Sequence, residues 1–303
     1  MWFKNLIFYR FTESQDYTQS QLESAFAEHL FQPCRSQELS RYGWVAPHSA
    51  LDQQSVFSSQ GAFLIAAQKE EKILPATVIK RKLNDRVAQI EQEQARKVYR
   101  KEQLQLKDEI ILDLLPRAFS RYQQTFALIM PRAGFIAVDS SSHKRAEELL
   151  NLLRNSLSTL PVILPDVHHS PGVIMSQWLQ QTASTPGFSC LEECELKDSQ
   201  EEGGIIRIKG EDLHSNEIIA HLEAGKQVSK LALEWDSTLS FVLQDDLSLK
   251  RVKPSEELTQ TLNEEASEDP LVRLDSDIAR LAMEYQRLLP QLLDAFGGEI
   301  QRS

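Results

Sequence analysis

Hydrophobic positions recur along this chain with two periods, near two residues and near three and a half, and the switches between them mark out its elements. Phe3, Leu6, Phe8 and Phe11 stand in near alternation and predict a first strand over 2–11. Leu22, Phe26 and Leu30, spaced by four behind Thr18-Gln19-Ser20-Gln21, predict a short amphipathic helix ended by Pro33. Gly43 and Pro47 punctuate a strand or extended loop over 42–47. The unbroken apolar run Gly61–Gln68 predicts a strand buried on both faces. Pro75 suits the first turn of a helix, and from there Ile79, Leu83, Val87, Ile90 and Val98 keep helical spacing. With nothing to break it before about Glu102, that helix would reach about 40 Å at 1.5 Å per residue. A returning helix over 106–115 ends at Pro116.

Thr125–Met130 and Gly134–Asp139 predict a hairpin around Pro131-Arg132-Ala133-Gly134. The serines 140–142 precede a helix whose apolar face is Ala146, Leu149, Leu150 and Leu153. Three prolines and Gly172 within 161–172 suggest a boundary between two halves, 1–165 and 166–303. Beyond it come a helix over 174–179, a strand over 203–209, and a helix from Ser215 to Leu222 stopped by Gly225. A hairpin over 228–243 turns at Asp236-Ser237-Thr238, and a basic strand covers 247–253. An acidic linker or exposed helix spans 256–269, before a terminal helix over 271–296. The expected fold is α+β, an elongated two-part monomer with mixed or antiparallel sheets. The segment 76–116 stands out from it as a long protruding helical hairpin.

Composition is that of an ordinary globular protein, 41% hydrophobic and 25% charged, without the roughly 18-residue apolar run of a membrane span. The first residues lack the order of a signal peptide, and three cysteines give no disulfide framework, so a reducing cytoplasm is expected. Charge changes the picture more. The chain is −11, yet residues 69–145 hold sixteen Lys/Arg against ten Asp/Glu, which is +6 and leaves −17 for the remainder. An acidic sum argues against a nucleic-acid partner, but a segregated basic face outweighs the sum.

On one continuous helix, Lys82, Arg86, Arg96 and Arg100 would share an arc of about 80°, with Lys97 and Lys101 nearby. That arc is either a solvated charged face or a row of phosphate contacts, for which the planar arginine fork is suited. Arg117-Ala118-Phe119-Ser120-Arg121-Tyr122 is a second candidate. It could stack on bases, form an interface hot spot, or be a loop anchored to the core by Phe119. Asp166 with Glu195-Leu196-Lys197 imitates the carboxylate–lysine pattern of a metal-dependent nuclease. That chemistry wants a strand, whereas the acidic 191–197 segment has helical character. Cys190, Cys194, His168 and His169 lack zinc-site spacing, and no phosphate loop or nucleophile elbow occurs. No catalytic residue, metal or cofactor is expected.

Several short motifs in order, Met1-Trp2-Phe3-Lys4-Asn5-Leu6, Lys69-Glu70-Glu71-Lys72-Ile73-Leu74-Pro75, Leu115-Pro116-Arg117-Ala118-Phe119-Ser120, Glu223-Ala224-Gly225-Lys226 and Ser248-Leu249-Lys250-Arg251, resemble the RdgC family. The resemblance spans essentially the whole chain. It implies a non-enzymatic, nucleoid-associated protein of the bacterial cytoplasm that binds double-stranded DNA with little sequence preference. It also implies a ring-shaped homodimer that encloses DNA in a basic hole and restrains the RecA recombinase. Lys82, Arg86, Arg96, Lys97, Arg100, Lys101, Arg117 and Arg121 then become DNA contacts. Phe119 and Lys209 match positions near dimer contacts.

Overall fold

The computed structural model describes residues 1–52, 54–181, 187–198, 203–264 and 267–300. Part of the acidic 256–269 run, residues 265–266, lies outside them. The first half supplies β1 (Asn5–Phe11), α1 (Gln19–Phe26), β2 (Ser40–Val45), β3 (Val56–Ser59) and β4 (Ala62–Lys72). Next come α2 (Ala76–Gln94), α3 (Arg100–Leu114), β5 (Ser120–Met130), β6 (Phe135–Asp139), α4 (His143–Leu157) and β7 (Val162–Ile163). The second half adds α5 (Pro171–Leu179), β8 (Phe188–Asp198), β9 (Ile205–Lys209), α6 (Asn216–Glu223) and β10 (Lys226–Trp235). It closes with β11 (Leu239–Gln244), β12 (Leu249–Pro254), α7 (Glu256–Glu264) and α8 (Pro270–Ala295).

The fold is α+β. Among the described residues all twelve strands join one sheet in the order β2-β4-β5-β6-β1-β12-β11-β10-β8-β9, with β3 on β4 and β7 on β1, and every strand pair described is antiparallel. β1 lies in the middle, paired with β6 along Leu6–Arg10 and with β12 through Asn5 and Leu6. The apolar run of β4 is buried from Ala62 to Ala67, and period 2 divides it between two cores. Leu64 joins Phe8, Leu128, Tyr285 and Leu288 of α8 on one face, whereas Phe63 and Ile65 join Trp44, Phe26 and Leu149 on the other. Trp44 stacks on Phe26 with ring centroids 4.1 Å apart, and its Nε1 donates to Ser156 Oγ at 2.8 Å. Gly43 beside it is fixed by space: a Cβ there would stand 2.6 Å from the backbone of Phe31.

Local chemistry explains most boundaries. Thr18 caps α1 in a reciprocal capping box with Gln21, and α1 stops at Phe26, so Leu30 lies off the helix and exposed. The turn between β10 and β11 has Asp236 and Ser237 both at positive φ, the twist a tight hairpin needs. Two further expectations are corrected, and one strand, β3, had no expectation to correct. The segment 191–197 is not helical: it is the middle of β8, paired on one side with β10 and on the other with β9. Register shifts against β10 break the period-2 pattern there, and Arg207, opposite on β9, and Arg251 of β12 pair with Glu195 and Glu193. The short β3 gave no separate signal. The helix expected to run to about Glu102 breaks at Ala95, whose φ of 50° and ψ of 34° are left-handed.

Candidate nucleic-acid interface

β4 and β5 are longer than their apolar cores. Their register continues through Gln68↔Gln124 and Glu71↔Arg121 to Lys72↔Ser120, and Ile73 N donates to Phe119 O at 2.8 Å. Cross-strand pairing, including Arg121 Nη2 to Glu71 Oε2 at 2.8 Å, accompanies these polar ends. α2 and α3 follow from this two-stranded stem. They pack on each other through Ile90, Val98 and Leu106, with Leu83 and Val87 alongside, a cluster separate from both cores.

The break at Ala95 divides the basic arc. Lys82 and Arg86 remain on α2, exposed on one flank of the Leu83–Val87 stripe, with Arg86 Nη1 on Gln89 Oε1 at 3.1 Å. Arg96 and Lys97 lie in the turn, and Arg100 and Lys101 form the first turn of α3. Arg96 is engaged: both terminal nitrogens bond the two Glu102 carboxylate oxygens at 2.7 Å, and its Nε bonds Gln94 Oε1 at 2.7 Å. That bidentate hydrogen bond holds Glu102 below the usual carboxylate range and raises Arg96. Lys82, Arg86, Lys97, Arg100, Lys101 and Arg117 are exposed and have no ion pair to a described residue. Arg100 and Lys101 also sit where the helix dipole is positive, a placement that disfavours cations unless an anion comes to them.

The segment around Phe119 is less of a loop than its spacing suggests. Arg117 ends a 3₁₀ turn over Leu115–Arg117, and Ser120 to Tyr122 already belong to β5. Phe119 does not anchor it to the core, because its ring is 85% exposed. Leu39, Ile73 and Tyr122, near it in the pairing, are exposed as well. The anchor is Glu70 instead, 2% exposed: Ser120 Oγ donates to its Oε1 at 2.5 Å and Cys34 N to its Oε2 at 2.6 Å. The Ser120 hydroxyl first, then the Cys34 N–H, hold its carboxyl below the ordinary range. A depressed folded pKa adds stability that is complete above the unfolded value of about 4.3 and is lost as pH falls through the folded one. Glu70→Gln is therefore expected to cost about 1–3 kcal/mol near neutrality and to lose that deficit relative to wild type in acid. Urea midpoints measured from pH 7 to pH 3 check this; parallel curves would remove Glu70 from the acid response.

Lys209 is exposed at the end of β9, the edge strand, opposite Glu193. The nuclease-like Glu195 does lie on a strand. Its carboxylate is shared among Arg207 Nε at 2.8 Å, Lys230 Nζ at 3.0 Å and the Ser229 hydroxyl at 3.1 Å. Burial would raise it, but these three donors together hold it below the usual range. Among the described residues no three His, Cys, Asp or Glu side chains are grouped so as to hold a metal ion, and no helix is long and apolar enough to cross a membrane.

A family model described as "Putative exonuclease, RdgC" matches residues 1–299. The chain belongs to the RdgC family. An RdgC relative from Aeromonas hydrophila is 48% identical over 301 residues, 99% of each chain, and one from Tolumonas auensis is 45% identical over 299, again 99% of each. One from Pseudomonas aeruginosa is 45% identical over 300 residues, 99% of this chain and 98% of the relative. All three carry the name "Recombination-associated protein RdgC". The RdgC resemblance and the basic segregation were both visible in the residue order. Tyr99, an exposed aromatic in the turn between α2 and α3, is not among the sequence candidates, although Lys97-Val98-Tyr99-Arg100-Lys101 interleaves it with cations.

Proposed function

We infer that this RdgC chain is a non-enzymatic protein that binds double-stranded DNA without sequence preference. One observation carries the reading: exposed cations with no acidic partner among the described residues gather on α2, α3 and the turn between them, in a chain that is −11 in sum. Such groups contact phosphates, which position a protein on DNA and read no sequence. Lys82, Arg86, Lys97, Arg100, Lys101 and Arg117 supply most of the contacts. Arg96 and Arg121, already bonded to carboxylates, supply less. In this reading α2 and α3 act as a protruding hairpin of an elongated, two-part monomer, and two chains close a ring around the duplex in the nucleoid. The recombination-associated names of the relatives support a role in restraining a RecA-type recombinase.

The test is fluorescence anisotropy on labelled duplex across a salt series. Affinity falls linearly in log–log form, with a slope of about −0.9 for each phosphate neutralised. A flat response overturns the mechanism. End-labelled duplex incubated with Mg²⁺ or Mn²⁺ stays full length; progressive shortening would support the exonuclease of the family description instead.

Self-association is assigned to Phe119, with Lys209 at a second contact. Phe119→Ala should leave the stability of the isolated monomer unchanged, since the residue is 85% exposed there, and shift sedimentation toward the monomer. Unchanged mass would remove Phe119 from the contact.

A further inference from the structure

We propose that Tyr99 is a stacking site for an unpaired nucleobase, and that the turn between α2 and α3 is built to present it. The proposal rests on the nucleic-acid reading above and deepens it by naming a residue that touches bases rather than phosphates. Tyr99 is 75% exposed, and no hydrogen-bond or ring partner for its side chain occurs among the described residues. An aromatic left this open is available as a contact face, and Lys97, Arg100 and Lys101 flank it in sequence, exposed and with no ion pair to a described residue. Aromatic faces on which bases stack, set among cations that track the backbone, are how single strands are held without regard to sequence.

The turn is also held in shape. Ala95 takes the left-handed conformation that ends α2, and Val98, 5% exposed, plugs into the cluster between the helices. Glu91 Oε1 accepts from Val98 N at 2.9 Å, and Gln103 Nε2 donates to Val98 O at 3.2 Å. The Arg96–Glu102 fork closes the remaining side. With Val98 turned in, Tyr99 is turned out on a short rigid connection. A ring held this way loses little freedom on binding, which favours affinity. An intact duplex keeps its bases stacked on one another, so the ring finds a partner only at a gap, an end or a single strand.

The experiment measures Kd for a fluorescein-labelled oligothymidylate and for a GC-rich labelled duplex at one moderate salt, using full-length protein and its Tyr99→Ala, Tyr99→Phe and Tyr99→Trp variants. Tyr99→Ala is expected to weaken oligothymidylate binding about 5- to 100-fold and to leave duplex binding within about 2-fold. Tyr99→Phe and Tyr99→Trp keep a π face and retain single-strand affinity. Equal affinity of Tyr99→Ala and wild type for the oligothymidylate overturns the site. So does a loss of the same size on both DNAs, or a Tyr99→Phe as weak as Tyr99→Ala. Wild-type protein that binds oligothymidylate through Tyr99 but ignores duplex defeats the duplex reading and leaves this one standing. Wild-type protein that binds neither defeats both.

Discussion

Replacing Lys82, Arg86, Arg100 and Lys101 together by alanine should lower duplex affinity by up to about 10³-fold near 0.1 M salt, and flatten the log–log salt slope by about 3–4. The four side chains are exposed and have no acidic partner among the described residues, so their loss removes no ion pair that holds the fold. Arg100 and Lys101 oppose the dipole of α3, and their removal should if anything steady the helix by a few tenths of a kcal/mol each. Binding and stability therefore move separately, which sets phosphate contact apart from a structural role. Anisotropy across the salt series gives the slope, and a urea titration gives the stability. An unchanged slope would move the DNA contacts elsewhere. Changing Arg96 and Glu102 is a different experiment, because that pair spans the turn, and its effect should appear at Tyr99 before it appears at the phosphates.

The largest stability effect is expected in the core around α1 and α4. Trp44→Ala removes a fully buried ring stacked on Phe26 and bonded to Ser156, with little freedom for neighbours to fill the space: Gly43 next to it is already pressed on Phe31. A loss of about 3–5 kcal/mol is expected. In urea the midpoint should drop with the slope unchanged, since the surface exposed on unfolding is nearly the same. Trp44→Phe, which keeps the stack and loses the hydrogen bond, should cost clearly less. A loss below about 1 kcal/mol for the alanine variant would mean that this face of the sheet is not close-packed.

The residue order carried the elements whose patterns are local and unopposed. β4 announced itself through Ala62–Ala67, α8 through the helical run over 271–296, and the β10–β11 hairpin through its turn. Where the order misled, a tertiary contact had overruled a local preference. Alanine is the best helix former and rarely left-handed, so Ala95 gave no warning of a turn; the burial of Val98 between two helices decides it. In β8 an irregular ladder spoiled the alternation. The polar ends of β4 and β5 look like loop until Glu71 is seen opposite Arg121. The candidate site followed the same division. Charge segregation is a sum over residues and survives any folding, so the basic region was legible. Which cations are engaged depends on a turn that was not, and it is this turn that pairs Arg96 with Glu102 and leaves Tyr99 exposed. The neighbours of β1 were equally hidden, since nothing near Asn5 indicates Lys250.

That pairing has a consequence for synthesis. β1 leaves the ribosome roughly 240 residues ahead of β12, which at about 5–20 residues per second is a wait of about 12–50 s. During that interval β6 arrives to cover one side of β1, while its other edge, at Asn5 and Leu6, stays unclosed. Nascent chains from neighbouring ribosomes offer identical edges at high local concentration, and an open strand edge is a template for pairing. Placing the central strand first thus makes the yield of folded protein sensitive to the speed of translation between residues 139 and 249. Slow codons in that stretch should increase aggregation, and a holdase that shields β1 should relieve it.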